Sequence, residues 1–251
     1  MGTMIALPVD GQTAEAIPLA GTGAPRAFLS LLSAGDMGFG DDENASRRGD
    51  WLASLGFDPE RSMSPDLVHS RIVVEARSRS DVRGVEADGM VAPGTLERGS
   101  SLVITVADCM PIFMYDAGTG ACGLLHSGWK GTGILARALS LISERYGTRA
   151  SDVSVSFGPR IGACCYVVDE ERARVFANDF GSAAVVWHKG RPSLDLVAAN
   201  VALAEGLGIG SVHVVEGCTF CEDRFGSFRR QGAGHFTRMA AALGHVMSPR
   251  P

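Results

Sequence analysis

A chain of 251 residues with 45% apolar and 20% charged side chains can bury a proper core, which excludes an intrinsically disordered protein. Its 23 basic against 28 acidic residues leave a net charge of −5, which argues against a general nucleic-acid binder, since that class shows a basic face. No run approaches the roughly 18 apolar residues of a membrane helix, and Asp10 and Glu15 interrupt MGTMIALPVDGQTAEAIPLAG where a secretory leader needs unbroken apolar sequence, so the chain reads as cytoplasmic, without a membrane partner.

In chain order, the polar stretch 33–50, rich in Gly and Asp, predicts a loop, and WLASLGF behind it a short helix ending near Gly56. β-Branched and apolar content predicts strands over 71–76, 102–107, 121–125, 153–157, 183–187 and 211–216. LVITVA and CGLL are almost wholly apolar, the pattern of strands buried on both faces. A helix is predicted over 133–146, with Thr132 as its cap, Gly147 as its stop, and Ile134, Leu135, Ala138, Leu141 and Ile142 on one face. A second helix follows Asp195, with Leu196, Ala199, Leu203 and Leu207 at helical spacing. Strands and helices interleave without a strict βαβ rhythm and without repeats. The expectation is one α+β domain over 1–251, of mixed β-sheets flanked by helices.

Three motifs at strand ends carry groups suited to chemistry. LVHSRIV places His69 just before a strand; ITVADCMPIF ends a buried strand at Asp108-Cys109, with Pro111 expected to stop further pairing; GLLHSGWKGTG ends a strand at His126 and turns into the helix. The turn-like YDAGTGA between the second and third motifs suggests a hairpin whose far ends bring Cys109 and His126 together. One thiolate and two imidazoles form a legitimate shell for catalytic zinc, leaving a fourth position open. The ligands are far apart in the chain, so spacing leaves open that each is an ordinary core residue.

The other cysteines are Cys122, Cys164, Cys165, Cys218 and Cys221. Adjacent Cys164 and Cys165 point to opposite sides if the chain is extended, and Cys218-Thr-Phe-Cys221, without a second pair of that spacing, reads as structural. The Gly-Pro-Arg-Ile-Gly turn at 158–162 reads either as a plain turn or as a cradle of backbone N–H groups for an oxyanion.

Taken in order, VHS, ADGMV, ADCMP, HSGWKGTG, FGPRIGACCY and CTF followed by GSFRRQG closely resemble the laccase-domain family of purine nucleoside phosphorylases, long labelled multicopper polyphenol oxidases. The resemblance runs from about residue 65 to 240. It implies a compact α+β fold and one zinc ion on His69, Cys109 and His126. It also implies phosphorolysis of adenosine, inosine, guanosine or methylthioadenosine, and hydrolytic deamination of adenosine. Purine nucleoside and phosphate are then the partners. Asp108 and Asp88 become candidate proton carriers, although each also suits turn formation or ligand support. Lys130, Arg229, Arg230 and Arg238 become the candidate phosphate clamp, with Lys130 foremost because it follows a ligand in the same turn. Three stretches depart from the family pattern. The usual Arg-Gly-Gly near the N-terminus is replaced by LSLLSAGDMGFG, the usual Asn-Arg by Arg47-Arg48-Gly49, and the usual Thr-Gly-Arg by Phe236-Thr237-Arg238. These leave the ligands intact and bear on substrate preference.

Competing readings use the same residues. Six histidines are too few for a multicopper cluster, which leaves copper as an adventitious substitute at one site of a polyphenol oxidase. A metal-free hydrolase would use Cys109 as nucleophile and His126 as base. A non-enzymatic nucleotide or metal sensor is the third.

Overall fold

The computed structural model describes residues 3–5 and 13–247; part of the N-terminal stretch on which the leader reading rests, Asp10 included, lies outside the described residues. A seven-stranded mixed sheet runs in the order β1 (Thr3–Ile5), β13 (Ser211–Val215), β10 (Val153–Phe157), β8 (Met110–Asp116), β9 (Cys122–Ser127), β6 (Gly89–Ala92) and β5 (Val73–Glu75). A five-stranded sheet runs β2 (Ala14–Ile17), β3 (Arg26–Ser30), β14 (Met239–Gly244), β7 (Ser101–Val106) and β4 (Ser62–Met63), and β11 (Val185–His188) pairs with β12 (Arg191–Leu194) in a small ribbon. Helices α1 (Asp42–Ser54), α2 (Arg79–Val82), α3 (Ile134–Tyr146), α4 (Glu170–Phe180), α5 (Leu196–Gly206) and α6 (Phe228–Gln231) complete the fold. The architecture is the expected single α+β arrangement of mixed sheets flanked by helices. No helix among the described residues is long and apolar enough to cross a membrane.

The layering follows from the alternation of side chains along each strand. Leu102, Ile104 and Val106 of β7 meet Phe113 and Leu124 of the larger sheet in the central core, while Val103 points the other way, to Phe28, Trp51 and Phe57 under α1. The opposite face of the larger sheet, with Ile112, Leu125 and Val155, is covered by Ile134, Leu135 and Ala138 of α3 and by Leu196 and Ala199 of α5. This explains why LVITVA and CGLL carry no polar face: every residue of β7 and β9 is buried. A fully buried side chain of this size contributes about 1.5–3 kcal/mol by leaving water.

Three local expectations are corrected. The stretch 33–50 is not all loop, because α1 begins at Asp42, where the Asp41 carboxylate accepts from the Asn44 N–H; only Trp51 and Leu52 at its far end are buried, so the first turns carry no apolar periodicity. Pro111 does not stop the sheet. It stands within β8 opposite His126, and its carbonyl accepts from the Gly158 N–H. Thr132 does not cap α3: its hydroxyl donates to the Gly128 carbonyl, and Gly133 takes the cap position with φ of 101°. Gly147 ends that helix in the left-handed conformation, as expected.

Candidate metal centre and its cleft

Cys109 and His126 meet as expected, but at the hairpin of β8 and β9, whose first arm lies after Cys109 and is not among the predicted strands; the predicted strand 102–107 is β7 of the other sheet. Cys109 lies in the bend between β7 and β8, and Pro111 two residues on is in register with His126. His69 arrives from the loop before β5 with φ of 58°, a left-handed conformation that costs a non-glycine residue on the order of 1–3 kcal/mol. One ligand atom from each of His69, Cys109 and His126 lies within 4.8 Å of the others, and the two imidazole rings stand edge to face with centroids 4.9 Å apart.

Asp88 organises this centre. It immediately precedes β6, where its backbone carbonyl accepts from the His126 N–H at 2.7 Å. Its buried carboxylate accepts from the N–H groups of His69 at 2.9 Å and Ser70 at 2.5 Å, and from the Ser70 hydroxyl at 2.8 Å; these bonds hold His69 in its strained backbone. The same carboxylate stands 3.0 Å from His126 Nδ1. Burial pushes Asp88 upward, but the bonds from His126 and Ser70 outweigh it and hold the acid at about 2. An ionised carboxylate only accepts, so His126 Nδ1 carries the hydrogen and Nε2 is the nitrogen left to bind a metal.

The remaining electrostatics suit a ligand set. Burial would raise Cys109, yet the imidazoles of His126 and His69 bring the thiol down to about 6. Burial would lower His126, yet the Cys109 thiolate and Asp88 lift it to about 10, so without a metal the two form a thiolate–imidazolium pair and a bound cation would displace the Nε2 proton. A thiolate that is stable at neutral pH beside two imidazoles is a donor set for zinc or another borderline cation. Room for the sulfur is made by Gly128, where a Cβ would stand 2.6 Å from Cys109 Sγ.

The three residues open onto a cleft of about 1030 Å³. Aromatic side chains line it: Phe39, Trp129, Tyr166, Phe228 and Phe236. Lys130, Arg172, Arg229 and Arg238 supply its cations. The Arg172 guanidinium stands 4.7 Å from the Trp129 ring and Arg229 stands 5.5 Å from Tyr166, while Arg238 pairs with Asp36 at 3.1 Å. Arg48 of α1 reaches the carbonyls of Met37 and Gly38 and stacks 3.9 Å from the Phe39 ring, propping that wall.

The expected site residues are therefore unevenly gathered. His69, Cys109, His126, Asp108, Lys130, Arg229 and Arg238 line the cleft. Asp88 lies behind His126. Asp108, with φ of 82°, accepts from the Thr219 hydroxyl at 2.6 Å and the Arg229 N–H at 2.7 Å, so both its oxygens are engaged in holding loops. Arg230 is turned away from the cleft and donates to the carbonyls of Thr219, Phe220, Glu222 and Phe225. The turn at 158–162 is not an oxyanion cradle, because its N–H groups are used internally: Gly158 to Pro111, Arg160 to Gly217, Ile161 to Asp108 and Gly162 to Cys218 Sγ. Arg172 and Phe39 escape a reading of sequence, since no motif marks them. Trp129 and Tyr166 stand inside HSGWKGTG and CCY and were within reach of it.

A thiolate and two imidazoles at strand ends, open to a cleft on a two-sheet α+β fold, define a candidate metal centre. The family of multi-copper polyphenol oxidoreductase laccases matches residues 30–245, and the chain belongs to this laccase-domain family. It is 32% identical over 234 residues to the purine nucleoside phosphorylase YlmD of Geobacillus stearothermophilus, covering 88% of this chain and 84% of that protein. It is 34% identical over 201 residues to a purine nucleoside phosphorylase of Deinococcus radiodurans, covering 80% and 76%. The crystal structure of the Geobacillus YlmD superposes with a TM-score of 0.83 over 96% of this chain and 99% of that one, at 28% identity.

Proposed function

We propose that this chain is a zinc-dependent purine nucleoside phosphorylase that also deaminates adenosine. The observation that carries the reading is the convergence of His69, Cys109 and His126 at a cleft with aromatic walls and several cations. The curated relatives named purine nucleoside phosphorylase support it.

A purine is a flat, apolar ring edged with polar atoms, and the rings of Trp129, Tyr166, Phe228 and Phe236 offer faces for it to stack on. In phosphorolysis a phosphate oxygen forms a bond to C1′ of the ribose while the C1′–N9 bond breaks and the purine leaves with the electron pair. Lys130, Arg172, Arg229 and Arg238 are the cations that would hold phosphate for that attack. Deamination places water on C6 and releases ammonia. When bound, zinc supplies a Lewis acid and lowers the pKa of a water to about 7. Asp88 is a positioning residue here: ionised at neutral pH, it has no proton to give, and it fixes the tautomer and orientation of His126. Asp108 acts through Arg229 and Thr219, setting the loops that wall the cleft.

The test combines metal analysis with product identification. Cys109→Ala is expected to lose one equivalent of zinc together with release of adenine and ribose 1-phosphate from adenosine plus phosphate, and inosine formation should fall with it. Full activity after complete metal removal would overturn the zinc reading, and no turnover of any nucleoside would overturn the enzymatic one.

One observation favours a second reading. A Cys109 thiol near 6 beside His126, itself oriented by Asp88, is the arrangement of a cysteine hydrolase. Activity that survives metal removal and is abolished by alkylating Cys109 would select it.

A further inference from the structure

A second constellation of soft ligands lies outside the centre described above. Cys164, Cys165, Cys218 and Cys221 place their four sulfurs within 4.8 Å of one another. The closest approaches are Cys165 to Cys221 at 3.3 Å, Cys164 to Cys218 at 3.6 Å and Cys164 to Cys221 at 3.8 Å. Adjacent cysteines diverge in an extended chain, but here the backbone turns: the N–H groups of Cys165 and Tyr166 both bond to the Gly162 carbonyl. A matching turn closes between Cys218 and Cys221, whose N–H bonds to the Cys218 carbonyl at 3.0 Å. The two turns are laced together, since the Thr219 N–H reaches the Arg160 carbonyl at 3.0 Å and the Gly162 N–H donates to Cys218 Sγ at 3.2 Å.

We propose that Cys164, Cys165, Cys218 and Cys221 form a tetrathiolate site for a zinc ion, distinct from the His69, Cys109 and His126 centre. Zinc–sulfur bonds of about 2.3 Å in a tetrahedron require sulfurs roughly 3.8 Å apart, and the three approaches of 3.3 to 3.8 Å bracket the lower side of that spacing. Four protein ligands leave no open position, which marks a structural rather than a catalytic ion. Cys164 and Cys221 are exposed, so the ion has a path from solvent. Loading converts thiols to thiolates and releases their protons; four thiolates around a dication carry a net double negative charge. The N–H of Gly162 and the buried guanidinium of Arg160, on which Cys218 and Cys164 act electrostatically, offset part of it.

The site would clamp the cleft. Tyr166, next to Cys165, is part of the cleft wall, and Thr219, between Cys218 and Cys221, donates to Asp108. An ion at the four cysteines ties both segments to one point without touching the bound nucleoside.

Metal content of the full chain, purified under a thiol-free reductant, tests this. Cys109→Ala is expected to lose one zinc equivalent and Cys165→Ser/Cys221→Ser a different one, with both lost in the combined variant. In the Cys109→Ala background, cobalt should give an intense thiolate-to-metal charge-transfer band and tetrahedral d–d bands, and zinc should shield four thiols from a thiol reagent. Zinc content unchanged by Cys165→Ser/Cys221→Ser would overturn the proposal. Should that variant not fold, thiols of Cys109→Ala that react equally with and without zinc would overturn it. Because Cys109→Ala and the paired cysteine variant are read separately, failure of either site leaves the other intact.

Discussion

Gly128 and Cys109 stand so close that a Cβ at position 128 would lie 2.6 Å from the Cys109 sulfur. Glycine is required there by the space the thiolate occupies, and Gly128 is the second residue after His126 in HSGWKGTG. Gly128→Ala should therefore displace the sulfur while the two sheets remain packed. The expected outcome is a loss of metal affinity of about 10- to 100-fold, the range typical of disturbed ligand positioning, with little change in melting temperature. Competition with a zinc chelator measures it, and an unchanged affinity would remove the steric role.

Asp88 links the centre to the pH dependence of folding. Its folded value of about 2 lies below the ordinary 3.8. The stabilisation it provides is thus fully present above pH 3.8 and is lost as pH falls through about 2. The shift corresponds to about 2 kcal/mol. Urea unfolding at successive pH values between neutrality and 2 should show this loss. Asp88→Asn should flatten that step and also weaken metal binding by misdirecting His126.

Reactivity of Cys109 reports the same network in the metal-stripped protein. With the thiol at about 6, alkylation should rise through a midpoint near that pH instead of near 9. His126→Ala removes its main stabilising neighbour, and the midpoint should move upward. A midpoint unaffected by His126→Ala would show that the imidazole does not hold the thiolate.

The cations separate into two kinds by what they touch. Lys130 lines the cleft, so Lys130→Ala should raise the KM for phosphate more than it slows deamination. Arg230 is spent on loop carbonyls, so Arg230→Ala should lower stability by about 1 kcal/mol or more, as several partly buried acceptors lose their donor. Steady-state kinetics paired with thermal melts distinguish them; a phosphate KM that shifts with Arg230→Ala but not with Lys130→Ala would reverse the assignment.

Local pattern made much of this legible. The turn-like YDAGTGA predicted a hairpin and the meeting of Cys109 with His126, but its first arm is β8, a strand absent from the predicted set, while the predicted strand 102–107 is β7 of the other sheet. The amphipathic face and Gly147 announced α3. The end of α1 was legible in WLASLGF, but its first turns stayed hidden because DENASRRGD carries no apolar stripe, and Pro111 misled because a strand residue without an N–H is tolerated where its carbonyl still pairs.

By itself, the amino-acid order determined the identity of the candidate donor atoms, the strand that carries His126 and the family to which the chain belongs. Tertiary structure alone decided their geometry. Asp88 reaches His126 because β6 pairs with β9, His69 turns inward because Asp88 collects its backbone N–H, and Arg172 and Phe39 meet the cleft from distant helices and loops. The four outlying cysteines make the same point. Whether two adjacent thiols diverge or converge depends on a turn closed by hydrogen bonds, and whether they meet Cys218 and Cys221 depends on the bridge between Arg160 and Cys218. Such long-range pairings are set by register and burial across the whole fold, which short-range propensity does not encode.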